Sequence, residues 1–233
     1  MARGKKNARR RRAWILFYDE SGLSQRPSIR RTWAPRGETP VLIHSFNWKK
    51  LLVCVALGFR WDCRRTQLWF RTAPGSCNAD RVLAFLRVLT RHLAGRPAIL
   101  IWDQLPAHKS RRVRAYLDGH RHWLRVEWLP GYAPELNPAE QLWGNVKGRE
   151  LANACPDDLD DAAVALRRGM RRVRHSPTLS RSFLRHAGLS DLSLYYTRLT
   201  NFRRQLSHFW VGNTFDACPL WEKWRCHARE VTL

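Results

Sequence analysis

The first short apolar run, Trp14–Asp19 (WILFYD), reads as a β-strand buried on both faces and closed by an acid. Residues 50–59 (KLLVCVALGF) are apolar and rich in strand formers, and 66–72 (TQLWFRT) alternate; both predict strands. Asn78 offers an N-cap. Behind it Val82, Phe85, Leu86, Leu89 and Leu93 fall at i, i+3, i+4, i+7 and i+11, the stripe of an amphipathic helix that Gly95-Arg96-Pro97 stops. Ala98–Asp103 (AILIWD) echoes the first run, a second short buried strand ending in an acid. A basic helix is expected over roughly 107–119 and a strand over 124–129 (LRVEWL). The Pro/Gly/Asn loop 130–138 then leads into a helix whose first turn is Asn137-Pro138-Ala139-Glu140. Asp157 or Asp158 caps a further helix to about Arg174, and Ser176-Pro177 supply the cap and first position of another.

Between these elements, residues 27–40 carry three prolines and one glycine and predict a hairpin excursion with broken strands. No internal repeat is visible. Residues 190–233 hold Trp210, Trp221 and Trp224 without periodicity and receive no fold. Strands that give way to alternating helices and strands predict an α/β layered domain with a mixed sheet over residues 13–189.

Charge changes the picture more than length does. The 233 residues carry 42 Lys+Arg against 19 Asp+Glu, a formal net charge of +23. Such an excess favours a polyanion, because each neutralised phosphate releases condensed counterions. Arg outnumbers Lys 35 to 7, and Arg is the better bidentate phosphate clamp. Residues 1–12 (MARGKKNARRRR) form a basic arm, with Arg9, Arg10, Arg11 and Arg12 at its end. At 44% hydrophobic residues the chain can build an ordinary core. Its longest near-continuous apolar stretch, 51–59, is far short of the roughly 20 residues that span a bilayer. No apolar segment follows the charged N-terminus, so export is not expected and a cytoplasmic location is. The six cysteines form no CxxC pair and read as reduced thiols. His120 and His122 lack partners at zinc-ligand spacing, so a zinc site is not expected there.

Three carboxylates stand out. Asp19 and Asp103 each close an apolar strand, and in an open α/β sheet ligands sit beyond the carboxyl ends of parallel strands. If the two strands are parallel neighbours, their acids meet at one sheet edge. Glu140 follows in the first turn of a helix, 37 positions after Asp103. Converging carboxylates in a cleft repel one another, and divalent cations relieve that repulsion. An all-oxygen cluster on a basic protein points to metal-assisted phosphoryl transfer on nucleic acid. Each acid also has a structural alternative. A strand-ending Asp is often a turn residue, and Glu140 occupies the reciprocal position of a capping box on Asn137. Glu20 is expected on the opposite strand face from Asp19, while Glu127 and Glu135 are weaker competitors for the third position.

The strings FYDESG at 17–22, IWDQLPAHKS at 101–110 and LPGYAPELNPAEQLW at 129–143 resemble the catalytic blocks of DDE transposases, the closest match being the bacterial IS-six-thirty family, relatives of the mariner transposases. RRTWAPRGETP at 30–40 is similar to that family's segment between the first two acids, and the resemblance covers about residues 10–188. It implies a ribonuclease-H-like mixed five-stranded sheet flanked by helices, with the first and fourth strands side by side. It also implies two Mg²⁺ ions (Mn²⁺ as substitute), Asp19 bridging both, Asp103 on one and Glu140 on the other. The implied reaction is cleavage of DNA at element ends and strand transfer into target DNA at a TA dinucleotide. Gln104 stands where relatives usually carry Asn, and the family often has a His at the position of His108. Relatives place paired helix-turn-helix modules ahead of the catalytic domain. The expectation is therefore either the downstream product of a split or frameshifted element, with an upstream helix-turn-helix polypeptide as partner, or a truncated remnant, with residues 190–233 as read-through sequence. A homodimer is expected in the active complex.

Double-stranded DNA is the expected partner, gripped by Lys109, Arg111, Arg112 and Arg114 beside the second acid, by Lys147, and by a cluster of Arg167, Arg168, Arg171, Arg172 and Arg174. In that cluster the i, i+4 pairs 167/171 and 168/172 repel unless an anion compensates them. His108 is read either as an active-site group, touching a phosphate or orienting a water, or as a helix-terminal residue satisfied by backbone or solvent. Trp33 and Tyr132 are read as packing residues in preference to base-stacking ones. Two other functions stay open: a catalytically decayed or domesticated DNA-binding protein, and a ribonuclease-H-like nuclease without strand joining.

Overall fold

The computed structural model describes residues 12–44, 49–130 and 133–189. Arg9, Arg10, Arg11, Tyr132 and the segment 190–233 lie outside the described residues. Five strands make one sheet: β1 (Trp14–Leu23), β2 (Leu51–Arg60), β3 (Thr66–Pro74), β4 (Ala98–Trp102) and β5 (Leu124–Trp128). Helix α1 (Ala79–Leu93) precedes β4 and α2 (Arg111–His120) precedes β5. Helices α3 (Pro138–Lys147), α4 (Leu159–Arg174) and α5 (Pro177–His186) complete the order. The strands lie in the order β3-β2-β1-β4-β5. The first two seams are antiparallel, and β1–β4 and β4–β5 are parallel.

Why these residues choose this sheet follows from alternation. On one face Ile15, Phe17, Val55, Leu57, Ile99 and Ile101 join α3, α4 and α5 through Leu142, Val146, Leu166, Met170 and Phe183. On the other, Leu16, Tyr18, Ala56, Leu100 and Trp102 join α1 and α2 through Val82, Phe85, Leu86, Leu89 and Val113. The central strands are therefore apolar at nearly every position, as a sheet covered on both sides requires. Gly58 lets the indole of Trp69 lie across β2: an added Cβ would stand 2.6 Å from Trp69 Cζ3.

The helix caps fall where the sequence puts them. Asn78, Asn137, Asp158 and Ser176 each accept a hydrogen bond from a first-turn backbone N–H. Two boundaries differ from expectation. β1 runs four residues past Asp19, because β2 continues to pair with it as far as Leu23↔Leu51. Its pairing with β4 stops at Phe17↔Ile101, so Asp19 closes one seam of the strand and not the strand itself. The basic helix starts at Arg111 with Ser110 as its cap, so His108 and Lys109 sit in the turn before it. The excursion at 27–40 contains no paired strand; it is tied down by a bridge from Ser28 to Ala152 and by hydrogen bonds between Arg30 and Asn153. Trp33, expected to pack, is 99% exposed within it.

Candidate functional site

Asp19 and Asp103 each stand two positions beyond the last paired residues of β1 and β4, Phe17 and Ile101, so they occupy equal levels on neighbouring parallel strands. Helix α3 reaches the same place from one face. Asn137 Nδ2 donates to Tyr18 O at 3.4 Å while its Oδ1 caps α3 through the Ala139 N–H. Trp143 Nε1 donates to Asp19 Oδ2 at 2.9 Å, and Lys147 Nζ donates to Ser21 Oγ at 2.7 Å. Glu140, Trp143 and Lys147 are one helical stripe (i, i+3, i+7), and it lies along Asp19 and Ser21, which share a strand face.

That arrangement brings the Glu140 charge onto Asp19. Burial first, then Glu140 and Glu20, push the Asp19 carboxyl up to about 7 against the pull of the Trp143 hydrogen bond. Glu140 itself is exposed. The capping-box alternative does not hold for it: the Asn137 N–H donates to Pro134 O, and the cap is made by Asn137 alone.

Asp103 is held differently. The Leu105 N–H donates to its Oδ1 at 3.2 Å, and His108 Nδ1 lies 2.8 Å from the same oxygen. The other ring nitrogen, His108 Nε2, lies 2.7 Å from Glu20 Oε1. Carboxylates only accept, so both ring nitrogens donate. The imidazole is sealed from solvent, stacked on Trp102 at 4.2 Å and 7°, and edge-on to Tyr18 at 5.4 Å. Burial opposes its charge, but the hydrogen bonds to Asp103 and Glu20 win and raise it to about 9. Burial likewise works against the Asp103 charge, and the His108 and Leu105 hydrogen bonds hold it below its ordinary range. His108 is thus satisfied neither by solvent nor by backbone alone; it is clamped between two acids. Cys77 Sγ also donates to Glu20 Oε1, at 3.3 Å.

Among the described residues, Glu20, Asp103 and His108 form the one group of three potential ligands whose atoms all lie within 4.8 Å of each other. It does not fit a single ion. Each carboxylate faces a different ring nitrogen, so the imidazole occupies the space an ion would need. The expected trio of Asp19, Asp103 and Glu140 is not such a group among the described residues. Its donors are all oxygen, and Asp19 is a half-buried carboxyl destabilised by a neighbouring negative charge. Those residues fit hard divalent cations such as Mg²⁺ or Mn²⁺.

The remaining predicted residues separate into free and engaged cations. Arg111, Arg114, Arg168 and Arg171 are exposed, as is Arg12. Arg112 pairs with Asp80 at 2.6 Å on the surface. Lys109 Nζ donates to Gln104 Oε1 at 3.0 Å, and Gln104 Nε2 donates to Leu129 O, tying the turn after β4 to the one after β5. Arg167 is half-buried. For Arg172 the compensating anion is Glu150, held by Nε and Nη2 at 2.6 and 2.8 Å, with Asn145 Oδ1 at 2.7 Å. Arg174 is spent on Leu68 O and on the Phe70 ring. The sequence reading underrated Glu20, and its partner His108 lies 88 residues away. The signal for Trp143 was there, three residues after Glu140.

Residues 14–162 match the model of the DDE superfamily endonucleases. The chain belongs to that family. Its mixed five-stranded sheet flanked by helices matches the ribonuclease-H-like fold of the Mos1 mariner transposase. The Mos1 paired-end complex with Mn shares 19% identity at a TM-score of 0.56, over 82% of this chain and 56% of that one. The Mos1 complex with the left transposon end is similar at 19% and 0.55, over 86% and 58%. The paired-end complex with Mg gives 19% and 0.53, over 80% and 55%. The chain thus spans under two thirds of the length of these relatives. A search of curated proteins gives no match. Among the described residues of this DDE endonuclease domain, no helix is long and apolar enough to cross a membrane.

Proposed function

We propose that this DDE domain is the catalytic domain of a DNA transposase of the IS-six-thirty type, cutting DNA at element ends and joining the freed ends to target DNA at TA. The observation that carries the reading is that Asp19 and Asp103 follow the last β1–β4 pair at equal levels, while the Glu140 charge acts on Asp19 from α3. We assign Asp19, Asp103 and Glu140 to the holding of two Mg²⁺ ions, with Mn²⁺ as substitute. When bound, such ions neutralise the charge that builds on the attacking and leaving oxygens of an in-line displacement.

The chain's own groups supply geometry. Trp143 fixes the Asp19 carboxylate through Oδ2, and the Leu105 N–H and His108 fix Asp103 through Oδ1. The exposed Arg111 and Arg114, with the half-buried Lys109 and Lys147, neutralise DNA phosphates beside the acids. In the first displacement the oxygen of water forms a bond to phosphorus and the bond to the leaving oxygen breaks, which frees a 3′-hydroxyl. In the second, that hydroxyl attacks a target phosphodiester with the same exchange of one P–O bond for another.

The Mos1 neighbours are paired-end complexes, and by analogy we extend to this chain a dimeric working form and a partner module that reads the element ends. The test is to search the DNA flanking the gene for inverted repeats and to assay cleavage and joining of DNA bearing them, in Mg²⁺ or Mn²⁺. Activity is expected in the native chain and lost in Asp19→Asn, Asp103→Asn and Glu140→Gln. Activity that survives all three removes the site. Cleavage without joining selects the nuclease reading, and salt-sensitive binding with no cleavage selects a decayed transposase.

A further inference from the structure

Glu20 takes no part in the proposed chemistry, yet the fold buries it. Its side chain is 5% exposed, and its Oε2 has no hydrogen-bond partner. Desolvating a carboxylate in this way costs several kcal/mol in general unless a fixed partner compensates it. Its partner is His108, whose side chain is wholly buried and whose ring plane is fixed by stacking on Trp102. The ring's far nitrogen then meets Asp103, the one group of the three that is open to solvent, with 44% of its side chain exposed. An exposed carboxylate on the first residue after a strand rotates freely unless something holds it. Glu20, pointing away from the metal-facing side of β1, is aimed through the imidazole at that carboxylate.

We infer that Glu20 and His108 are positioning residues: Glu20 sets the imidazole, and the imidazole Nδ1 sets the Asp103 carboxylate in the orientation that receives the cation. The inference rests on the assignment of Asp103 as a ligand. Its physical content is the carboxylate–histidine–ligand chain known from metal sites, here ending on a carboxylate ligand. Asp103 Oδ1 is occupied by His108 and the Leu105 N–H, which directs the second oxygen outward.

The experiment measures Mn²⁺ affinity of the full chain without DNA, from the free-ion electron paramagnetic resonance signal, in paired variants. Asparagine at 108 places an amide where Nδ1 stands and keeps a donor for Asp103; glutamine places it where Nε2 stands and keeps only the Glu20 contact. His108→Asn should bind Mn²⁺ within about threefold of the native chain, and His108→Gln about tenfold or more weakly, the usual size of such outer contacts. Likewise Glu20→Gln, which keeps an acceptor without the charge, should stay near native, while Glu20→Leu should weaken binding about tenfold. DNA binding in EDTA should be unchanged in all four, and kcat should recover at saturating Mn²⁺. Equal losses within each pair would mean a charge or packing effect and overturn the proposal, as would native affinity in His108→Gln and Glu20→Leu. Should the position 108 variants not fold, the Glu20 pair decides alone, since leucine suits a buried site. Asp19→Asn separates the two claims: if it binds Mn²⁺ as well as the native chain, the metal site itself is misassigned. If it does not, while Glu20→Leu and His108→Gln bind normally, only the positioning claim fails.

Discussion

Replacing Asp19 by asparagine should make the metal-free protein more stable, by an amount that grows from about pH 4 and is complete above about pH 7. In the folded chain this carboxyl is raised to about 7 from an ordinary value of 3.8, by burial and then by the charges of Glu140 and Glu20. The folded state therefore holds a proton that the unfolded state has already released between pH 4 and pH 7. Stability contributed by this group falls as pH rises through that window, and the full cost is present above about pH 7. Three pH units at about 1.36 kcal/mol each give ~4 kcal/mol, which solvent near the half-buried carboxyl reduces to about 2–4 kcal/mol. Asparagine removes the charge and still offers Trp143 Nε1 an acceptor. Urea unfolding in EDTA, followed by tryptophan fluorescence, should show Asp19→Asn about 2–4 kcal/mol more stable at pH 8 and level with the native chain near pH 4. Added Mn²⁺ should close the gap at pH 8 by stabilising the native chain alone. A variant no more stable at pH 8, or a gap that ignores pH, would refute the claim that Asp19 carries stored repulsion.

Three further outcomes follow from the packing. Arg172→Ala leaves the Glu150 carboxylate, 8% exposed, with only Arg149 Nε at 4.0 Å, and should cost about 3 kcal/mol in urea unfolding with no loss in the salt slope of DNA binding. Arg168→Ala and Arg171→Ala, both at exposed positions, should leave the melting temperature within about 1–2 °C and lower the slope of log K against log salt by about 1 each, if α4 meets DNA. Gly58→Ala drives a methyl to 2.6 Å from Trp69 Cζ3 and 3.0 Å from Leu16 Cδ2 and should destabilise by about 1–3 kcal/mol, read by thermal unfolding.

Local signals carried the sequence reading a long way. The caps Asn78, Asn137, Asp158 and Ser176 act within a few residues of themselves, so their helices start where the pattern places them. Expectation and structure parted where distant partners decide. Glu20-Ser21-Gly22 have little strand preference of their own, yet β2 offers them a ladder down to Leu51, and pairing overrides propensity. The turn Pro106–Lys109 looked like helix because its residues tolerate one; the Leu105 carbonyl instead accepts the His108 and Lys109 N–H groups, and Ser110 becomes the cap. Among the acids, Asp103 follows the end of its strand as expected, whereas β1 continues past Asp19, which closes only the β1–β4 seam. The engagement of Glu20 could not be read from the sequence, because only the fold brings His108 against it.

The adjacency of Asp19 and Glu20 explains why the two acids are not interchangeable. On a pleated strand neighbouring side chains point to opposite faces. Asp19 falls on the side covered by α3, where Trp143 and Glu140 meet it, and Glu20 on the side of α1 and α2, where Cys77 and His108 meet it. A slip of one residue in the β1–β2 register would send Asp19 into the Tyr18–Trp102 core and Glu20 beneath Trp143. That register is held by ten consecutive pairs from Trp14↔Arg60 to Leu23↔Leu51, with the large core residues Phe17 and Tyr18 locked on opposite faces just before the acids. The length of β1 past Asp19 keeps both acids on paired backbone, which suits the proposed roles of Asp19 as a ligand and of Glu20 as support for Asp103.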